Sequence, residues 1–322
     1  MEVALRLSRR NLGSTFPNPS VGCVVVKNGQ IIGRGWTAVG GRPHAETQAL
    51  AFAREKAKGA TAYVTLEPCC HYGKTPPCTQ ALIKAGIKRV VIATTDPDSR
   101  MSGKGIKELK SVGIKVEVGI GKKEADEINA GFFLGVMEKR PFVTLKMAVS
   151  NDGKIGRKGE RVQISGEFAA ACSHLLRKNH DAIMVGMNTV LSDNPELTCR
   201  LPGLEKYSPI RIIMGSNTCM PRDSKLLGDK STPLWIINNR DIKSVLTHLA
   251  EKGITKLLVE GGARLATSFL KSDLIDQVII VENPEIKIGK DGISAPQINQ
   301  TKFKLISTRK MGKDICRVFK KI

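Results

Sequence analysis

At 322 residues the chain is long enough for two domains of ordinary size, and its 41% apolar and 25% charged content is that of a soluble globular protein. No apolar run approaches the roughly 18 residues of a membrane-spanning helix, so no membrane partner is expected. The net charge of +21 suits nucleic acid less well than it first suggests. It is spread evenly, 22 Lys+Arg against 12 Asp+Glu before residue 143 and 29 against 18 after, with 4% aromatics for stacking bases. A basic surface that attracts phosphorylated small molecules, rather than nucleic acid, is the expectation.

In chain order, MEVALRLSRRNLG (1–13) reads as a short amphipathic helix. It lacks the unbroken apolar core and cleavage site of a secretory signal, which places the chain in the cytoplasm, where thiols stay reduced. VGCVVVKNGQIIGRGW (21–36) reads as two strands around an Asn28-Gly29 turn. Pro43 opens a helix through Lys56, with Gly59 just past its end. A strand (61–67), a cysteine-rich segment, a helix (79–85), a strand (89–96), a helix (104–111) and a strand (115–118) follow. A helix over 125–141 ends at Pro141 and marks the boundary between domains 1–141 and 142–322. Beyond it come a strand (143–150), a helix (167–178) and the buried strands AIMVGM, IRIIMG, LWIINN, KLLVEGG and DQVIIV. DICRVFKK (314–321) reads as a final edge strand. Strands alternating with helices predict an α/β fold with parallel or mixed sheets.

Of the eight cysteines, Cys23, Cys172, Cys199, Cys219 and Cys316 stand singly and read as small buried hydrophobes. Cys69, Cys70 and Cys78 cluster in EPCCHYGKTPPC (67–78), which in a reducing compartment suggests a metal or catalysis. Upstream, PHAE (43–46) supplies His44 and Glu46. Two residues apart on a helix they diverge by about 200°, so they converge only over a helix end. Cys78 lies at another helix start, where thiolates are favoured, and Cys69 follows a strand at the end where α/β sheets place their sites. One imidazole and two thiolates make a three-ligand zinc site whose fourth position stays open for water. Glu46, beside the metal and not a ligand, is placed to shuttle protons. Cys70 is expected to be structural.

The order H-x-E, P-C, then a further cysteine is similar to the zinc deaminases. Here the cysteines are spaced C-x8-C instead of C-x-x-C. With TFPNPSVG (15–22), this resembles the bifunctional riboflavin-biosynthesis deaminase/reductase family over essentially the whole chain. The resemblance implies a cytidine-deaminase-like α/β/α zinc domain followed by a dihydrofolate-reductase-like α/β domain, in a homo-oligomer. It implies deamination of a diaminopyrimidine bearing a ribosylamine phosphate, with Asn18, His71, Lys74, Thr75 and Asp96 contacting the substrate. His71 has the alternative of closing the metal site as a fourth ligand.

The second domain matches in RPFVTLKMAVSNDGKI (140–155), ISGE (164–167), DAIMVGMNTVLSDNPELTCR (181–200) and LLVEGGARLATSFL (257–270). That implies NADPH as reductant. Lys146, Arg177, Asp193, Arg200 and Glu260 would stand at the substrate, and Ser165, Gly261 and Gly262 at the cofactor. Backbone amides at the Gly261-Gly262 strand–helix turn can cradle a phosphate. Asn151, Gln163 and Asn194 depart from the family pattern, which keeps open an active deaminase joined to a degenerate reductase. A tRNA adenosine deaminase would need C-x-x-C, and a non-catalytic zinc module would need a closed four-ligand site and no Glu46.

Overall fold

Asn28 and Gly29 both take positive φ (49° and 74°), the primed turn whose twist suits a two-residue hairpin. They join β1 (Gly22–Lys27) to β2 (Gln30–Trp36). A computed structural model describes residues 1–99 and 101–322 and divides the chain into two units, Met1–Lys139 and Arg140–Ile322. The division falls two residues before the expected Pro141.

In the first unit, β3 (Thr61–Val64), β4 (Arg89–Ile92) and β5 (Lys115–Val118) complete a sheet of order β2-β1-β3-β4-β5. The first two pairings are antiparallel and the last two parallel. The strands expected to reach 67 and 96 are shorter, although Glu67 N still donates to Thr94 O beyond their ends. The helices are α1 (Glu2–Ser8), α2 (Ala45–Ala53), α3 (Cys78–Lys84), α4 (Lys104–Ser111), α5 (Lys122–Ile128) and α6 (Ala130–Met137). The helix expected over 125–141 is thus two, broken at Asn129. That buried amide accepts from Ser20 N (2.8 Å) and donates to Ser20 O (3.2 Å), pinning the 15–22 segment.

Helix α2 lies directly on β2 because both surfaces are stripped of side chains. Ala45, Ala49 and Ala53 are buried on the helix, and a Cβ at Gly35 would stand 2.1 Å from Ala45 O. Gly35→Ala is therefore expected to destabilise this unit by at least about 1–3 kcal/mol, read in thermal melts, and to weaken metal retention by shifting the start of α2.

The second unit holds β6 (Phe142–Ser150), β7 (Lys154–Arg157), α7 (Glu167–Lys178), β8 (Ala182–Gly186), α8 (Met187–Asp193), β9 (Ile210–Met214), α9 (Lys225–Gly228) and β10 (Leu234–Ile237). Then come α10 (Ile242–Glu251), β11 (Lys256–Val259), α11 (Ala263–Ser272), β12 (Gln277–Asn283), β13 (Gly292–Ser294), β14 (Phe303–Met311) and β15 (Asp314–Lys321). Eight strands form one sheet, β10-β9-β8-β11-β6-β12-β15-β14, parallel from β10 to β12. DICRVFKK is β15, but it is not an edge: it pairs antiparallel with both β12 and β14, and β14 takes the edge. β7 and β13 make a separate ribbon. Inward-facing Ile183, Val185, Ile213 and Leu258 are fully buried. Among the described residues no helix is long and apolar enough to cross a membrane.

Candidate active sites

The expected α2 begins two residues late, and this resolves the geometry of H-x-E. His44 is the N-cap residue, with extended backbone (φ −70°, ψ 160°), while Glu46 lies in the first turn. The imidazole is thereby freed from the helical spacing that would aim it away from the carboxylate. Cys78 is the first residue of α3, after Pro77 as N-cap. Its backbone N–H donates to Cys69 Sγ at 3.3 Å, and Thr79 N donates to Cys69 O at 3.1 Å. His44 Nδ1 lies 3.3 Å from Cys78 Sγ and 3.7 Å from Cys69 Sγ.

These donors fit zinc. Bond lengths of about 2.0–2.1 Å to nitrogen and about 2.3 Å to sulfur, at a tetrahedral angle, put N and S about 3.6 Å apart, between the two observed contacts. Among the described residues the donor group consists of His44, Cys69 and Cys78, all within 4.8 Å of one another, without Cys70 or His71. A hydrogen bond from Cys78, then one from His44, draws the Cys69 thiol down to about 4, while the proton-holding Cys78 is pushed up. Glu46 is 4% exposed, and burial, with the Cys69 charge, lifts its carboxyl to about 7. A carboxyl that exchanges its proton near neutrality beside an open metal site is suited to proton transfer.

His71, Lys74 and Thr75 are exposed on the loop between Cys69 and Cys78. Arg42, which sequence reading passed over, donates from Nη1 to Thr75 Oγ1 and ties this loop to the approach to His44. Asn18 packs against Gly41 on the same approach, where an added Cβ would meet its amide at 2.0 Å. Asp96 is half-buried, and burial raises its pKa while the nearby His71 works the other way. Glu67 was also missed. Its buried carboxylate accepts from the backbone N–H groups of Asp96 (3.2 Å), Gly103 (3.0 Å) and Ile106 (3.3 Å), capping α4 and holding Asp96 in place.

In the second unit Lys146, Ser165, Arg177, Asp193, Arg200, Glu260, Gly261 and Gly262 all line one cavity of about 290 Å³. They come from β6 (Lys146), the segment before α7 (Ser165), α7 itself (Arg177), the end of α8 (Asp193), the segment beyond it (Arg200) and the turn from β11 to α11 (Glu260, Gly261 and Gly262). Glu260 is clamped by Arg177: Nε donates to Oε1 (3.2 Å), Nη2 to Oε2 (3.0 Å), and Nη1 to Thr198 O (3.1 Å). Burial opposes the charge on Glu260, but Arg177 and Lys146 outweigh it and hold the carboxyl at about 2. Arg177 therefore spends its fork on Glu260, which leaves that carboxylate a fixed acceptor. Gly262 N donates to Thr189 Oγ1 at 3.1 Å, a wall residue with no sequence signal of its own.

The three departures from the family pattern are accommodated. Asn151 Nδ2 donates to Pro284 O at 2.9 Å. Asn194 caps α8 in the left-handed region (φ 40°), which asparagine tolerates, and its Oδ1 accepts from Lys225 N at 2.9 Å. Gln163 lines the cavity, its amide donating to Ser165 O at 2.6 Å.

Two protein families match. Residues 1–94 match the cytidine and deoxycytidylate deaminase zinc-binding region, and residues 141–317 match the RibD C-terminal domain. The chain is 40% identical to the riboflavin biosynthesis protein RibD of Aquifex aeolicus (100% of this chain, 97% of that one) and 36% identical to that of Escherichia coli K12 (98% and 97%). Among solved structures, RibD of Acinetobacter baumannii superposes with a TM-score of 0.91 at 35% identity, covering 100% of this chain and 97% of that one. The diaminohydroxyphosphoribosylaminopyrimidine deaminase/5-amino-6-(5-phosphoribosylamino)uracil reductase of Thermotoga maritima superposes with 0.90 at 34%, with the same coverage. The first unit has the cytidine-deaminase fold and the second the dihydrofolate-reductase-like fold of the RibD reductases. On this match over its full length, the chain belongs to the riboflavin biosynthesis protein RibD family.

Proposed function

We propose that the chain performs two successive steps of riboflavin biosynthesis, deamination in the first unit and reduction in the second. The first removes an amine from 2,5-diamino-6-(5-phosphoribosylamino)pyrimidin-4(3H)-one. The second reduces the ribosyl group of 5-amino-6-(5-phosphoribosylamino)uracil to ribityl with NADPH. The observation that carries this is the grouping of His44 Nδ1 with the Cys69 and Cys78 sulfurs beside a buried carboxyl that none of them needs as a ligand.

His44, Cys69 and Cys78 would hold zinc, which would supply the positive charge that makes a water acidic near neutral pH. Glu46 takes the proton from the attacking water and returns it to the departing amine. Asn18, His71, Lys74, Thr75 and Asp96 hold the substrate, the Lys74 charge facing its phosphate. In the second unit NADPH supplies the hydride. Ser165, Gly261 and Gly262 bind it, the two glycines at the strand–helix turn that opens α11. Lys146, Asp193 and Arg200 hold the sugar phosphate, and Glu260, aimed by Arg177, accepts hydrogen bonds from ribose hydroxyls. None of the eight cysteines is disulfide-bonded, as a reducing cytoplasm favours. The family resemblance supports a homo-oligomer, and the evenly spread charge supports small phosphorylated substrates over nucleic acid.

The test is mass spectrometry of the product after zinc-loaded protein meets the diaminopyrimidine substrate and NADPH. A product that exchanges an amine for oxygen and gains two hydrogens is expected. Loss of the amine alone would mean a degenerate reductase, and unchanged substrate would overturn the deaminase assignment. Stripping the metal with a chelator is expected to end ammonia release while leaving NADPH oxidation intact when the deaminated substrate is supplied directly.

A further inference from the structure

Helix α7 presents Ala170, Ser173, His174 and Arg177 to the cavity of the second unit, the i, i+3, i+4, i+7 spacing of one helical face. Arg177 is occupied with Glu260, but His174 has no role so far. Its Nδ1 lies 3.1 Å from Thr198 O and 3.3 Å from Arg200 N. In the neutral ring Nδ1 accepts from Arg200 N–H, and in the protonated ring Nδ1–H donates to Thr198 O, so the two contacts fix the ring orientation without fixing the tautomer. Nε2 makes no hydrogen bond among the described residues, and the half-buried ring lines the cavity. An imidazole held by one nitrogen and open at the other is the arrangement of a proton donor.

The reaction needs one. In the ribosylamine, C1′ is bonded to the nitrogen and to the ring oxygen. Turning ribosyl into ribityl adds a hydride to C1′ and breaks its bond to the ring oxygen, which must then gain a proton to become a hydroxyl. NADPH gives the two electrons and one hydrogen and leaves as NADP⁺, so the proton has another source. Among the ionisable groups on the cavity wall, Glu260 is held as the carboxylate by its ion pair, and arginines do not release protons. Asp193 accepts a hydrogen bond from Ser192 Oγ at 2.7 Å, as a carboxylate does. The Lys146 charge acts on the Glu260 carboxylate and is engaged there.

We propose that His174 is the catalytic acid of the reductase, passing its Nε2 proton to the ring oxygen as that oxygen leaves C1′. The proposal rests on the reductase reading above. After transfer the ring is neutral, and solvent returns the proton once product leaves. The charges around it are Arg177 on its own helix, Arg200 beyond α8, Glu260 after β11, and Lys146 and Asp193 on the same cavity wall. Burial, then Arg177 and Arg200, push its pKa below the ordinary histidine value, with Glu260 opposing. Since the protonated form is the active one, reductase kcat/KM should fall as pH rises through that lowered pKa.

The experiment uses full-length, zinc-loaded His174→Asn and His174→Ala, given the deaminated substrate directly and followed by NADPH absorbance. Removing a general acid is expected to lower kcat by about 10²–10⁴-fold, with KM little changed and the alkaline fall of the profile abolished. Added imidazole should restore part of the His174→Ala rate. Ammonia release from the diamino substrate, measured on the same samples, should stay at the wild-type level. The proposal is overturned if the variants turn over normally, or keep the wild-type pH profile. It is equally overturned if they fail only through weakened NADPH binding. Should wild-type protein itself not oxidise NADPH with this substrate, the reductase reading has failed, and the inference falls with it.

Discussion

Glu46→Gln is expected to retain zinc and lose deamination. Glutamine keeps the size of the side chain, and His44, Cys69 and Cys78, the proposed metal ligands, are untouched. What it cannot do is accept a proton. Losing a positioned acid–base group lowers the rate by about 10²–10⁴-fold, and in the proposed mechanism one carboxyl serves both the attacking water and the leaving amine, so the upper end is expected. The check pairs ammonia release with metal content by atomic emission on the same preparation. NADPH oxidation with deaminated substrate should be unaffected. Deamination that survives the change would mean the carboxyl is only a filler of buried space, and would favour the zinc-module reading.

Arg177→Leu is expected to destabilise the second unit by about 3–5 kcal/mol, because it strands the Glu260 carboxylate in a buried place. Both side chains are shielded, with exposures of 14% and 11%. The pH dependence has a definite sign. In the wild type the Glu260 carboxyl sits at about 2, below its unfolded value, so its contribution is present above pH ~4.3 and fades only as pH falls toward 2. In the variant burial dominates and raises the carboxyl, so the deficit should grow as pH rises and shrink in mild acid. Trp235 in β10 reports on this unit once Trp36 is replaced by phenylalanine, and denaturant midpoints measured across pH would show the trend. Pairing the change with Glu260→Leu should recover most of the stability while reduction stays lost.

How much of this was legible in the chain depended on whether the chemistry is local. His44, Cys69 and Cys78 could be read as one group because donors of those types, next to prolines at helix starts, have few other uses, and Glu46 because it stands two residues after His44. The C-x8-C spacing carried the family. The helix break at Asn129 was not legible, since the apolar pattern runs through it and its cause is a backbone partner at Ser20, over a hundred residues away. The place of β15 was missed for a similar reason. Its half-buried pattern suits an edge or an interior strand, and only the pairing of β14 decides between them. His174 sits on an amphipathic helix where any position of the face could be wall or core. Glu67 reads as part of a metal motif, yet its work is to cap α4 through amides that come 29 to 39 residues later.

The bonds at the foot of the Cys69–Cys78 loop bear on how such an enzyme changes its substrate. Cys78 N to Cys69 Sγ and Thr79 N to Cys69 O close the loop at its base, so the eight residues between the cysteines hang from a clasp that belongs to the metal centre. Closing a longer loop costs little, about 0.6 kcal/mol per doubling of its length. The segment is in effect an exchangeable cassette: its length and sequence can drift, or be swapped in the laboratory, while the hydrolytic centre beneath keeps its geometry. That separation offers one route by which a single hydrolytic scaffold could come to serve both free nucleosides and a bulky phosphorylated pyrimidine.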